Sequence, residues 1–480
     1  MENSWRHLPA ANSSRLVKTI RVLPLVALAT GVGARLPAPQ YLQYLVLLLA
    51  GLAGVIGLLV INRTSLLPLS FLIVTAVLLP FNVLDRGGAR ISSPFVMVAL
   101  LLAVFALETL GEQRASIPLP RRVATPLLMF LGVATLSLVA GQFPWFSIRG
   151  APLPAQLAGL SIFLLSAAAF VIFATRLNTR EQIAKITWVF LVAGAVTTLL
   201  QLFPRIDKAL AFIRGSNGLT QPSSIGSMFW TWLVAIAAGQ AFMNRRLRRA
   251  ARWCLILVIV LVLFHALVLR TGWTSGWLPP LVCLGIVLFQ RFPRLTISLS
   301  LLALPVLLLS TSLFDSFWHS EGYSFSTRVA AWHVLMDVLG RSPLIGLGPA
   351  NYYYYTSLFP ILGWHVNFSS HNNYIDIIGQ TGLVGFCLFM WFILEMGFLA
   401  IRTWRKAAPG FDLGFVSGVQ AGMAGSFAAG MLGDWLLPFV YNVGLLGFRS
   451  SVIFWIFTGS LVALSRVMKG TIPEGARGGE

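Results

Sequence analysis

Charged residues are scarce in this sequence. Only 10% of its 480 residues are charged and only 15 are acidic, whereas 57% are hydrophobic. A soluble domain carries roughly 25% charged residues, so this chain has too few to cover a water-exposed surface. Apolar runs of about 18 residues or more recur along the whole length, and each can cross a bilayer as a helix. The composition therefore excludes a soluble protein and predicts an all-α polytopic membrane protein.

Cysteine is also scarce. The three cysteines, Cys254, Cys283 and Cys387, all lie inside apolar runs. Their spacing matches neither a disulfide framework nor a metal site. We expect all three to be buried structural thiols. The sequence also contains no Asp-x-Asp pair and no P-loop, which are common signs of metal and nucleotide binding.

The apolar runs predict fourteen membrane spans, or about 12–14 transmembrane helices, because the first run is short and the tenth contains Pro279-Pro280. The predicted spans are 22–34, 41–60, 66–83, 95–110, 124–141, 156–174, 186–203, 225–243, 253–269, 275–290, 295–313, 373–401, 414–432 and 450–465. This order predicts four regions. They are a bundle of eleven spans (1–313), a long, partly helical extracytoplasmic loop (314–372), the C-terminal spans (373–466) and a cytoplasmic tail (467–480).

Basic residues give the chain a formal net charge of +20. A nucleic-acid partner does not explain them, because they lie in short loops between apolar runs. With the N-terminus in the cytoplasm, most of them fall on the cytoplasmic side, most densely in "NRRLRRAAR" (244–252). The pattern therefore predicts that both termini are cytoplasmic. It also predicts that the basic loops contact anionic membrane lipids.

Among the basic residues on the opposite, outer side, three arginines stand out: Arg214, Arg270 and Arg328. A single arginine there is readily explained by its charged head reaching the membrane interface. Three together favour an anionic ligand, because planar guanidinium groups bind phosphate oxygens in pairs.

His371 follows the long outer loop and begins the segment "HNNYIDIIGQTGLVG". The ordinary explanation is that Ser370 or Asn372 caps a helix and the histidine is incidental. Its position on the same side as the arginines favours a chemical role. Nearby arginines disfavour protonation of the imidazole, and a neutral imidazole can accept a proton from an attacking hydroxyl.

The segment "PLIGLGPANYYYY" lies between Arg328 and His371, and its glycines and proline predict a sharp turn. The tyrosines that follow, including Tyr352 and Tyr353, are typical of a membrane-interface belt. Alternatively, they form a platform for the apolar faces of sugar rings.

These motifs, taken in order, resemble the O-antigen ligase and O-antigen polymerase superfamily. The pattern is an arginine four residues before a tryptophan, a Pro-Leu-x-Gly-x-Gly-Pro turn, His-Asn-x-Tyr and a Gly-Leu-x-Gly helix. The matching positions are Arg328, Trp332, Pro343, Gly346, Gly348, Pro349, His371, Asn372, Tyr374, Gly382 and Gly385. In "LVLRTGWTSGWL", Arg270 lacks the serine that often precedes the arginine of the family.

The resemblance implies a GT-C-like, metal-independent and inverting glycosyltransferase in the bacterial inner membrane, with its active site on the periplasmic face and no cofactor. Its donor would be a glycan linked to undecaprenyl pyrophosphate, and its acceptor a glycan or lipid A-core. Arg270 and Arg328, with Arg214, would bind the pyrophosphate. His371 would be the general base or would contact the diphosphate, and Asn372 and Tyr374 would orient the histidine or a sugar. Ligase and polymerase activity both fit.

A flippase for lipid-linked oligosaccharide is the alternative. Transporters usually place ionisable residues near the membrane midplane. In this chain the few acids in the spans include Glu108 and Glu395, which lie near the basic residues Arg114 and Arg402 and are explained by ion pairing. Asp376 follows His371 closely and is expected to line the same site. The polar residues gather at one face, which favours the enzyme.

Overall fold

Helices dominate the computed structural model, which describes residues 66–78, 82–86, 89–111, 119–203, 226–270, 272–309 and 327–470. The predicted spans at 22–34 and 41–60, Arg114, Arg214 and the end of the predicted tail lie outside these ranges. Eight of the described helices are long and apolar enough to cross a membrane. The chain is therefore an all-α polytopic membrane protein, as its composition predicts.

Helices and one short hairpin make up the regular structure of the described ranges. In chain order, the elements are α1 (Leu67–Val77), β1 (Asn82–Arg86), β2 (Ala89–Ser92), α2 (Ser93–Gly111), α3 (Arg121–Ala140), α4 (Leu153–Arg176), α5 (Arg180–Leu202), α6 (Ser227–Ala238, continued by a π-turn at Gly239–Met243), α7 (Arg249–Phe264, continued by a π-turn at His265–Leu269), α8 (Thr274–Arg291), α9 (Pro293–Leu309), α10 (327–339), α11 (Tyr352–Tyr355), a 3₁₀ turn (Thr356–Leu358), α12 (Asn373–Lys406), α13 (Phe411–Leu432) and α14 (Gly444–Met468).

Several helix boundaries in the structure differ from those of the predicted spans. The third predicted span is a helix of only 11 residues, α1, and is followed by a two-stranded antiparallel hairpin that the apolar pattern gave no reason to expect. The helix α8 continues through Pro279 and Pro280. The last helix ends at Met468 and not near residue 466. Each described long span otherwise coincides with a predicted apolar run.

Two side-chain predictions are corrected by the packing. Cys283 is buried, but Cys254 and Cys387 are exposed on the surface of the bundle. The carboxylate of Glu108 forms an ion pair with Arg176 at the end of α4. Ion pairing thus explains this acid, although its described partner is not the arginine nearest in sequence.

The core of the bundle lies around α14, and 89% of the most apolar window of this helix is buried inside the protein. It packs extensively against α4. The helix α13 packs against α6 and α8. At the α6–α13 contact Gly239 faces Gly414 and Gly418, so that the two backbones approach closely, as small residues permit in membrane helices.

The connections between helices gather at two ends of the bundle. The segments 141–152, 340–372 and 433–443 meet at one end, which we call the histidine end because it carries His371. The segments 177–179, 244–248 and 407–410 lie at the other end. We call it the arginine end, and there Arg180 pairs with Asp412 at 3.1 Å. The segments predicted to be outer thus lie together, and so do the segments predicted to be cytoplasmic.

The helix α12 is interrupted at Gly382, where φ is 69° and ψ is −176°. The turn after α10 supplies hydrogen-bond partners for the backbone groups that the interruption leaves unpaired within α12. The amide of Leu383 donates to Pro343 O at 2.8 Å, and Gly379 O accepts from the amide of Leu347 at 3.0 Å. A side chain at Gly382 would meet Leu344 O at 2.2 Å. The backbone of the Pro-Leu-x-Gly motif therefore packs directly on the backbone of the Gly-Leu-x-Gly motif and hydrogen-bonds to it.

Replacing Gly382 with alanine is expected to destabilise the protein by about 1–3 kcal/mol or more, because this backbone region is open almost only to glycine and the added methyl meets a carbonyl. The matched control is Gly397→Ala in the same helix, where an added Cβ has nothing within 4 Å. That variant should be as stable as the parent or slightly more so. The measurement is thermal unfolding in one detergent. Equal stability of the two variants would contradict the proposed contact.

Candidate active site

Arg328 and Trp332 lie on one face of α10, because residues four apart are neighbours on a helix. The indole Nε1 of Trp332 donates to Ser370 O at 3.0 Å, immediately before His371. The guanidinium Nη1 of Arg328 donates to Leu432 O at 3.4 Å, at the end of α13. The arginine–tryptophan spacing therefore joins α10 both to the histidine segment and to the end of α13.

His371 has a left-handed backbone, with φ of 48°. Left-handed geometry costs a non-glycine residue about 1–3 kcal/mol and is found often at functional sites. Its neighbours hold it there. The amide of Ser370 donates to the hydroxyl of Tyr352 at 3.3 Å, and the side chain of Asn372 caps α12 by accepting from Tyr374 N at 2.9 Å. The capping prediction for Asn372 is confirmed.

The imidazole of His371 lies beside a polar pair that sequence reasoning did not find. Its Nδ1 is 3.1 Å from the amide nitrogen Nδ2 of Asn442, and the same Nδ2 contacts Oδ1 of Asp434. The other carboxylate oxygen, Oδ2, accepts from Phe439 N at 2.7 Å. Asp434 is 1% exposed, whereas His371 and Asn442 are exposed. A row of three side chains thus leads from a buried carboxylate to the surface.

The pKa values of His371 and Asp434 are both shifted, and at neutral pH the imidazole is neutral while the carboxylate is ionised. Partial burial, and then the charge of Arg328, lower the pKa of His371 below its usual value. The imidazole is therefore neutral at neutral pH. Burial raises the pKa of Asp434 to about 6, against the hydrogen bonds from Phe439 and Asn442 that favour its charged form. The carboxylate is therefore ionised above about pH 6.

The side chain of Asn373 holds the segment that carries Asp434 and Asn442. Its buried side chain donates to Leu437 O at 2.6 Å and accepts from Leu436 N at 2.6 Å. The segment 433–443 is thereby tied to the first turn of α12, next to His371. In the sequence this segment is the short connection "GDWLLPFVYN" between the last two spans, and its one acid and one amide form no recognisable motif.

The tyrosines pack mainly against the same segment. Tyr352 is fully buried and stacks on Phe439 with ring centres 4.7 Å apart, and its hydroxyl donates to Asp376. Burial and the charge of Asp376 raise the pKa of Tyr352 well above its usual value, so it stays a donor. In this conformation the ring of Tyr352 packs inside the protein, and its contact with a sugar stays a prediction. Tyr353 is partly exposed and stacks on Tyr441 at 4.6 Å.

Tyr374 and Asp376 also have packing partners. The hydroxyl of Tyr374 donates to Phe427 O at 2.9 Å, which joins α12 to α13. Asp376 is 1% exposed and accepts from Ser370 Oγ at 2.6 Å. Both side chains hold the histidine segment in place, with Asp376 buried and Tyr374 half-buried. A contact of Tyr374 with a substrate stays a prediction.

Arg270 is exposed at the end of the second π-turn. Its carbonyl accepts from Trp273 N at 3.0 Å, and Trp273 packs edge-on against Trp435, next to Asp434. The structure therefore places the Arg270 segment against the segment that carries Asp434. Arg328 and His371 are close enough for the arginine charge to affect the imidazole, and Arg214 lies outside the described residues.

The fold and this polar cluster define the class of protein. It is an all-α polytopic membrane protein with a cluster of basic and polar side chains at the histidine end of its helix bundle. Comparison with known families shows a narrower similarity over part of the chain. Residues 185–390 match the family model described as O-antigen ligase, which confirms the predicted resemblance. The match includes Arg270, Arg328 and His371 but ends before Asp434 and Asn442. No curated protein matches the chain at a significant level.

Proposed function

We propose that the chain is a glycosyltransferase that moves a glycan from undecaprenyl pyrophosphate to an acceptor hydroxyl at the periplasmic face of the bacterial inner membrane. The observation that carries the proposal is the placement of Arg328 beside His371, whose imidazole is held by Asn442 and Asp434. Arg328 has no acidic partner among the described residues, so its charge is available to an anionic donor.

The contacts of Asn442 favour one of the two roles considered for His371. An ionised carboxylate only accepts hydrogen bonds, so the group of Asn442 that faces Asp434 is the NH₂ group. That nitrogen also lies 3.1 Å from His371 Nδ1, so we assign its second hydrogen to Nδ1. Nδ1 is therefore an acceptor, and the neutral imidazole carries its proton on Nε2. A protonated Nε2 donates to an anion and cannot act as a base.

In the proposed reaction, the acceptor hydroxyl attacks the anomeric carbon from the face opposite the diphosphate. The new carbon–oxygen bond forms while the bond to the diphosphate breaks, which inverts the anomeric carbon. Arg328 and His371 Nε2–H stabilise the charge that develops on the departing diphosphate, with Arg270 assigned the same task, in place of a metal ion. The hydroxyl proton is released to water on the face from which the acceptor attacks, and undecaprenyl pyrophosphate leaves as the anion.

The proposal is tested with purified protein in liposomes that contain a lipid-linked glycan and an acceptor. Lipid A-core and a second lipid-linked glycan are supplied separately, and their products separate a ligase from a polymerase. A new glycosidic bond and release of undecaprenyl pyrophosphate are expected. Movement of the intact donor across the bilayer without a new bond would overturn the proposal in favour of the flippase.

A further inference from the structure

A polar cavity lies at the arginine end, across the bundle from His371. It is open, has a volume of about 500 Å³, and is enclosed by the first turns of α5 and α13 and by the α6–α7 connection. The charged and amide side chains of its wall are Arg180, Glu181, Asn244, Arg246, Arg248 and Asp412. None of these residues belongs to the candidate active site.

The charges around this cavity do not balance. Arg180 pairs with the nearly buried carboxylate of Asp412 at 3.1 Å, and Glu181 pairs with Lys185 at 2.8 Å. Within the described ranges, Arg246 and Arg248 have no acidic partner, and both are exposed. The cavity therefore has an excess of positive charge from two arginines of one short connection.

The connection that carries these arginines is anchored on both sides. The side chain of Asn244 accepts from Arg246 N at 3.1 Å and donates to Gln240 Oε1 at 2.8 Å. Gln240 in turn donates to Phe411 O at 3.2 Å, and Arg252 donates to Asn244 O at 3.0 Å. The cavity wall is thus bonded across α6, α7 and α13, which presents the two guanidinium groups from a fixed backbone.

The rest of the wall is apolar and includes Trp188, Leu247 and Phe411. Tryptophan is enriched where membrane helices leave the hydrocarbon region, because its ring is amphipathic. Two helices also begin in the wall without a side-chain cap, α7 after Arg248 and α13 after Gly410, and their free amides favour an anion. An apolar wall beside a cationic one fits a molecule that carries both kinds of group.

We propose that this cavity binds the phosphate-bearing headgroup of an anionic membrane lipid, with Arg246 and Arg248 as its ligands. Paired arginines suit a phosphate diester, whose free oxygens accept bidentate hydrogen bonds. This site lies apart from the candidate active site, and the lipid that it binds belongs to the membrane leaflet at the arginine end. Free phosphate shares the charge but has no group for the apolar wall.

The test uses the full-length protein in neutral detergent, mixed with equal amounts of phosphatidylglycerol and phosphatidylcholine, and counts bound lipids by native mass spectrometry. The parent protein is expected to retain phosphatidylglycerol in preference. The double variant Arg246→Ala and Arg248→Ala should lose about tenfold or more of that binding. The matched control is Arg245→Ala with Arg249→Ala, which removes the same charge from the same segment outside the cavity and should bind within about twofold of the parent.

Three results would overturn the proposal. An equal loss in both double variants would mean diffuse attraction to surface charge, and no loss in the first would mean that the cavity binds no lipid headgroup. Displacement of phosphatidylglycerol by inorganic phosphate at matching concentration would identify a free phosphate site. If the alanine variant aggregates on size exclusion, glutamine at both positions removes the charge while keeping side-chain length, and the same comparison applies.

Discussion

Glutamine at position 371 is expected to retain much of the transfer activity that alanine loses. Alanine removes the group that donates to the diphosphate and should lower the transfer rate by about 10²–10³-fold and weaken donor binding. Glutamine has an amide N–H near the position of the imidazole Nε2–H, so His371→Gln should stay within about tenfold of the parent. The measurement is transfer from a lipid-linked glycan, together with binding of the donor in the absence of acceptor.

The matched control is His365→Gln, because His365 is exposed and bonds only to Ser357 O among the described residues. It should transfer at the rate of the parent. If glutamine at 371 is as inactive as alanine while both variants bind donor normally, His371 is the general base and the hydrogen-bond-donor role is wrong.

Asp434→Asn is expected to lower the transfer rate by up to about 10⁴-fold, the loss that follows when a catalytic histidine is held in the wrong tautomer. A neutral amide at 434 can donate, so Asn442 can turn its oxygen toward both neighbours. His371 would then donate from Nδ1 and lose the proton on Nε2. The matched control is Asp337→Asn in α10, an exposed acid at the same end, which should have no effect.

The pH dependence of the parent protein follows from the same carboxylate. The pKa of Asp434 is raised to about 6, so the ionised form that fixes Asn442 is present above that pH and is lost as the pH falls through it. Transfer should therefore decrease below about pH 6. The profile of Asp434→Asn should lack this decrease. A parent profile that is flat from pH 7 to pH 5 would contradict the role of Asp434.

The helices were predictable because a span needs only length and apolar composition, and both are local properties. The Arg328–Trp332 spacing and the segment after His371 were predictable as motifs, although their physical basis was not. Only the folded chain shows that Trp332 bonds to the residue before His371, or that the turn after α10 fills the break at Gly382. Such contacts join residues far apart in sequence and leave no periodic pattern.

Asp434 and Asn442 could not be found from the sequence, because a single acid and a single amide in a short connection match no known spacing. Their importance depends on Asn373, which brings the connection to the histidine. The burial of Tyr352 could not be predicted either. Its place in a run of tyrosines indicated an exposed ring, whereas packing on Phe439 buries it completely. Burial of an aromatic residue in a loop depends on its tertiary neighbours.

The tautomer of His371 distinguishes the two roles, and it can be observed by ¹⁵N NMR of histidine-labelled protein. The chain has six histidines, so His371 is assigned by comparison with His371→Gln. Near pH 7.5, Nε2 is expected to carry the proton and Nδ1 to be unprotonated, with the pattern reversed in Asp434→Asn. A proton on Nδ1 in the parent protein would contradict donation to the diphosphate and make His371 a base.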